Sequence, residues 1–160
     1  MKIVNKCLLP LSIVMILAYA VYKYLKYCKS RTEILYRTLD KQKKMFDCSI
    51  AWLKDSCTEN AILERIGKNK TVAIYGMGVL GEALYEYMNR YGVSISYGID
   101  RIIPGNKYGM EILSPDIDEL PDVDVIIVTV IDSFDGIKEM LAKKSNASIV
   151  SLRDIVYGNK

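Results

Sequence analysis

Apolar and polar positions along the chain change period several times, and each change marks an element. From Leu8 to Tyr22 the sequence LLPLSIVMILAYAVY carries no charge. A helix over it is roughly 22 Å long, against a hydrocarbon core of roughly 30 Å. Extension to Leu25 with Lys23 snorkelling, or back to Ile3, closes that gap. Between Arg31 and Cys57 the apolar positions are Leu35, Leu39, Phe46, Ile50, Leu53 and Cys57, with polar residues between. This spacing predicts an amphipathic helix of near-heptad phase, interrupted at Gln42. Such a stem either pairs with a second copy or packs on the domain that follows, with Trp52 beside the stripe as an anchor. Thr58 as N-cap and Gly67 as stop predict a short helix from Glu59 to Ile66.

After Lys68-Asn69-Lys70 the pattern shortens to strands. Thr71 to Tyr75 is an apolar run of buried-strand length, and it enters Gly76-Met77-Gly78-Val79-Leu80-Gly81. Leu80, Ala83, Leu84, Tyr87, Met88 and Tyr91 then recur at helical spacing. Val93 to Ile99 predicts a second strand, ending in Asp100. Pro104-Gly105-Asn106 predicts a turn and Gly109 to Leu113 a third strand. Ser114, Pro115 and Asp116 predict the start of a short helix reaching Leu120. Val123 to Val130 is the longest β-branched run and predicts a fourth strand. Phe134, Ile137 and Leu141 mark the next helix, capped by Asp132 or Ser133. Ser148 to Leu152 predicts a fifth strand, and Arg153 to Lys160 a tail.

Strand, glycine turn, helix, strand, acid is the order of a dinucleotide-binding unit. The expected fold is α/β, a Rossmann-like doubly wound parallel sheet of about five strands. A transmembrane helix and an amphipathic helical stem precede it. The expected division is 1–30 anchor with basic flank, 31–69 stem and linker, and 70–160 nucleotide-binding domain. Gly76 permits the tight turn, Gly78 lets a pyrophosphate approach the backbone, and Gly81 lets the helix pack closely on the strand. The candidate site is the whole turn, Gly76, Met77, Gly78, Val79, Leu80 and Gly81, joined by Asp100, Arg101 and Thr129. Asp100 would accept ribose hydroxyls, Arg101 would face a 2′-phosphate, and Thr129 lies at a strand end where such sheets bind ligands. The competing reading gives the glycines to turn and packing, Arg101 to solvent and Thr129 to strand propensity.

Charge divides the chain of 160 residues. From Thr71 to Lys160 there are 8 Lys/Arg and 13 Asp/Glu, a net −5; from Met1 to Lys70 there are 14 and 6, a net +8. An acidic domain on a basic stem argues against nucleic-acid binding and sets the basic stretch beside a membrane. Lys23, Lys26, Lys29 and Arg31 outweigh Lys2 and Lys6, so the positive-inside rule places the C-terminal side in the cytoplasm. Tyr19, Tyr22, Tyr24 and Tyr27 suit an interfacial belt. The rival is a secretory signal cleaved near Ala20, which Ala18-Tyr19-Ala20 also fits.

Cys7, Cys28, Cys48 and Cys57 all precede the domain, without a CxxC pair, and the chain has no histidine. A structural metal site and thiol–imidazole catalysis are therefore not expected. A Tyr-x-x-x-Lys pair beside the glycine turn, a nucleophile elbow and a P-loop lysine are likewise missing, so no catalytic residue can be named.

KTVAIYGMGVLGEALYEYMNRYGVSISYGIDR, DVDVIIVTVIDSFDGIKEML and SIVSLRDIVY together resemble a Rossmann-like domain of bacterial surface-polysaccharide and glycosyl-transfer loci, similar to modules beside sugar methyltransferases and at the front of nucleotide-sugar acetyltransferases. The likeness covers about residues 50 to 157. It implies NAD, NADP or a nucleotide-sugar at Gly76, Gly78, Gly81 and Asp100, no metal, and a glycosyltransferase-type partner or a homodimer through the stem. The alternatives are an oxidoreductase or epimerase-like subunit completed by another chain, and a docking domain without ligand. Protein recovered from carbonate-washed membranes is expected to retain the residues before Ala20; N-terminal sequencing that starts at Val21 would establish a cleaved signal instead.

Overall fold

The computed structural model describes residues 11–56, 61–67, 69–102 and 105–158. The leader lysines Lys2 and Lys6, Cys7, Cys57, the Thr58 cap and Pro104 lie outside them. The chain divides into two compact units, Met1–Gln42 and Lys43–Lys160. The division falls within the expected 31–69 stem.

Helix α1 covers Leu11–Ser56, 46 residues without a proline or glycine to break it. Residues 11–30 of the expected anchor and 31–56 of the expected stem thus belong to one secondary-structure element. In the first unit its apolar residues lie open, among them Met15, Ile16, Leu17 and Leu25. By length and composition this helix can cross a membrane, and none of its apolar window is buried. Lys23 sits 5.6 Å from the Tyr19 ring centroid and Arg31 5.9 Å from that of Tyr27. Aromatic rings and cations thus share the basic end of the apolar run.

The second unit holds a six-stranded sheet in the order β3-β4-β2-β1-β5-β6. Its strands are β1 Val72–Tyr75, β2 Ile95–Ile99, β3 Gly105–Lys107, β4 Met110–Leu113, β5 Val125–Val128 and β6 Ser148–Ser151. Five of them, β4-β2-β1-β5-β6, run parallel, and β3 joins β4 antiparallel at the edge. The helices are α2 Ala61–Ile66, α3 Val79–Arg90, α4 Phe134–Leu141 and α5 Leu152–Tyr157.

Two cores flank the sheet, and the strands feed them alternately. Val72, Ile74, Val125 and Ile127 face Cys48, Trp52 and residues of α2, α3 and α5. Ala73, Tyr75, Ile126 and Val128 face Leu120, Ile137 and Leu141. A strand covered on both sides needs apolar residues at every position, which is why β1 and β5 read as unbroken apolar runs. Trp52 meets Tyr87 of α3 edge-on at 5.6 Å, so it anchors α1 on the domain as the sequence suggests. The buried helix face carries Met45, Cys48 and Trp52, whereas Phe46, Ile50 and Leu53 of the stripe remain exposed, Phe46 at 65%. The Cys48 thiol is pushed up by its burial, partly opposed by Arg153, and is an inert packing group.

Three expectations need correction. Gly105 opens strand β3 instead of a turn; the hairpin turn is Tyr108-Gly109, with φ of 58° and 78° at its two residues. The Tyr85 hydroxyl donates to the Tyr108 carbonyl and fixes the hairpin to α3. Ser114 to Leu120 is not helical. Lys144 Nζ donates to the Pro115 and Ile117 carbonyls at 2.8 and 2.7 Å, and Leu120 N–H donates to the Lys144 carbonyl. These tertiary bonds hold the segment in an irregular path that local capping signals do not foresee. The supposed tail contains α5, with Gly158 at φ 70° ending it.

Thr71 and Asp124 tie the entry of β1 to that of β5. Thr71 N–H and Oγ1 both donate to Asp124 Oδ2 at 2.7 Å, and these bonds lower the Asp124 pKa below its ordinary 3.8. A carboxyl with a lowered folded pKa stabilises above its unfolded pKa and loses that effect as pH falls through the folded value. Acid unfolding followed by circular dichroism should therefore show a smaller stability loss below about pH 4 for Asp124→Asn than for the unaltered chain.

Candidate functional site

The glycine turn leaves the C-terminal end of β1, the strand with neighbours on both sides in mid-sheet. Gly76 sits at φ 92°, a conformation only glycine adopts without strain. Its N–H donates to the Ile99 carbonyl at 2.8 Å, tying the turn to β2. A Cβ at Gly76 would lie 2.7 Å from Thr129 Oγ1, and one at Gly81 only 2.1 Å from the Gly76 carbonyl oxygen. Gly76 and Gly81 therefore serve the turn and the close seat of α3 on β1.

Gly78 differs from both. It is exposed, it is the N-cap of α3, and a Cβ there would meet nothing within 4 Å. The N-cap provides no side-chain hydrogen bond, so the first-turn N–H groups of α3 lack a side-chain cap. Val79 beside it is 74% exposed, whereas Met77 and Leu80 are buried in the core. Those uncapped donors and the positive end of a 12-residue helix suit an anionic group. Glu82 in the first helical turn sets a negative charge at the same end.

Asp100 is brought to the turn, but its carboxylate already holds backbone. Oδ2 accepts the Met77 N–H and Oδ1 the Ile102 N–H, each at 2.7 Å. Each oxygen retains a second lone pair with which to accept a hydroxyl. Arg101 is exposed and acts on Tyr75. The Tyr75 phenol is raised chiefly by burial, with Arg101 lowering it and Asp100 and Asp116 raising it. Thr129 is buried, and its hydroxyl donates to the Gly76 carbonyl at 2.6 Å and lies 3.1 Å from that of Tyr75. It braces the turn from behind.

The turn, Asp100 and Thr129 thus meet at the C-terminal ends of β1, β2 and β5, and Arg101 lies beside them. Sequence reasoning missed the bond from the Met77 N–H to Asp100, because nothing in the spacing says that the acid folds back on the turn. It also missed the helix start after β6, although Ser151 and Asp154 stand at capping-box spacing. Among the described residues no group of three or more acidic or cysteine side chains is placed to hold a metal ion. Comparison with protein-family models, characterised proteins and solved structures gives no match for this chain.

The two helix-entry glycines should respond to one methyl group to very different extents. Gly81→Ala forces a clash with fixed backbone and should lower urea-unfolding stability by about 1–3 kcal/mol. Gly78→Ala, at φ −79° and in open space, should change it by no more than about 0.5 kcal/mol.

Proposed function

We propose that this chain is a single-pass, membrane-anchored module whose Rossmann-type, doubly wound domain faces the cytoplasm and binds a dinucleotide or nucleotide-sugar. It serves surface-polysaccharide synthesis as the partner of a transferase. The observation that carries the nucleotide reading is Gly78, where open space coincides with the uncapped N-terminus of α3. The strand order supports it. From β1 the chain proceeds outward to β2 and β4, and then returns to the other side for β5 and β6. Ligands of open α/β sheets bind at such a reversal, beyond the strand C-termini. The anchor rests on the exposed apolar part of α1, and the orientation on the basic cluster after it.

A second reading, a docking domain without ligand, is favoured by one specific observation. Asp100 already accepts two backbone N–H groups, and Met77 is one of the donors a ligand would otherwise use. The two readings separate in a thermal-shift titration of the full chain in detergent with NAD(H), NADP(H), and uridine and guanosine sugar nucleotides. Ligand at about 100 times its dissociation constant adds roughly 2.7 kcal/mol. The nucleotide reading expects a shift with one of these ligands that Gly78→Asp removes. No shift with any of them favours the docking domain, and a shift that survives Gly78→Asp overturns the glycine turn as the ligand's seat.

A further inference from the structure

A concavity opens where β5 and β6 end. It has a volume of about 360 Å³, within the roughly 300–1,000 Å³ of small-molecule sites. Its wall comes from the segment that starts α4, with Asp132, Ser133, Phe134 and Asp135, and from the start of α5, with Ser151, Arg153 and Asp154. Val130 lies against Gly76, and the next residue, Ile131, lines the cavity.

Ser151 points to a ligand. It is 5% exposed, and it is the N-cap of α5 yet makes no side-chain cap bond. The other buried polar residue of the sheet, Thr129, has both its acceptors in the glycine turn. The Ser151 hydroxyl opens into the cavity instead of capping the helix, so it is placed to donate to or accept from a group that enters there. Ser133 at the start of α4 also makes no side-chain cap bond, so two hydroxyls are available on the same wall.

The charges choose the chemistry. Three carboxylates line the cavity against one guanidinium, and Lys44 Nζ, 3.6 Å from Asp132 Oδ1, offsets one of them. A further anion is disfavoured there by like charge. Carboxylates accept hydroxyl donors, while Arg153 and the serine hydroxyls donate to ring and hydroxyl oxygens. Phe134 adds an apolar face for the carbon side of a ring. We infer that this cavity binds a neutral polyhydroxylated ring, the glycosyl portion of a sugar nucleotide whose diphosphate lies at Gly78. The inference rests on the nucleotide reading above and selects the nucleotide-sugar over the nicotinamide dinucleotide.

Isothermal titration calorimetry on the full chain in nanodiscs tests it, with UDP-glucose, GDP-mannose and dTDP-glucose each against its nucleotide without sugar. At least one sugar nucleotide should bind ten-fold or more tightly than its own nucleotide. That ratio should fall to about one in Ser151→Val, and also in Asp154→Asn, a change at a half-buried residue outside the core. Equal affinity with and without sugar overturns the glycosyl cavity and leaves the nucleotide reading standing. A ratio unchanged in both variants overturns the cavity as the sugar's seat. No binding by any nucleotide overturns both.

Discussion

The tightest constraint in the domain is the contact of Gly81 with the Gly76 carbonyl. A methyl group at position 81 would fall 2.1 Å from that oxygen, so the axis of α3 passes as close to the end of β1 as backbone allows. That approach is braced from the opposite side by the Thr129 hydroxyl, which donates to the same carbonyl. One oxygen atom therefore sets the seat of α3 from one side and the end of β5 from the other. Burial of Leu80, Leu84 and Met88 against the sheet follows from that seat. The exposed edge of the turn at Gly78 is the remainder of the geometry, the part that packing leaves open.

Legibility in the sequence followed how many neighbours a segment has. The strands β1, β2 and β5 read plainly because burial on both faces demands apolar residues in succession. The run Val123–Val130 nevertheless overstates β5 by two residues at each end, because Asp124 and Thr129 belong to bonds with Thr71 and the glycine turn. Strand β3, Gly105–Lys107, has no apolar signal and exists through its pairing with β4. The Ser114–Leu120 segment carries helix-start residues, yet Lys144, 27 and 29 positions away from the carbonyls it binds, decides its path. Tertiary bonds of that kind leave no trace in a local window.

The stem shows the same limit in another form. Its apolar stripe has coiled-coil spacing, but the face laid on the sheet is set by Cys48 and Trp52, one small and one large residue outside the stripe. Hydrophobic period predicted the helix and not which side of it is buried. At the site, the glycines were legible because their roles are backbone roles, written in the absence of a side chain. The use of Asp100 was not, since a carboxylate at a strand tip can turn to ribose or to its own backbone with equal ease.

The buried thiol of Cys48 has a kinetic consequence. With no exposed surface, it can meet a reagent only while the packing around residues 43–56 of α1 opens. Its rate of alkylation, under conditions where reaction outruns closing, is then the rate of that opening, and under slow reaction it reports the equilibrium constant of opening. The chain thus carries within its core a clock for the detachment of its helix, read at a thiol of its own.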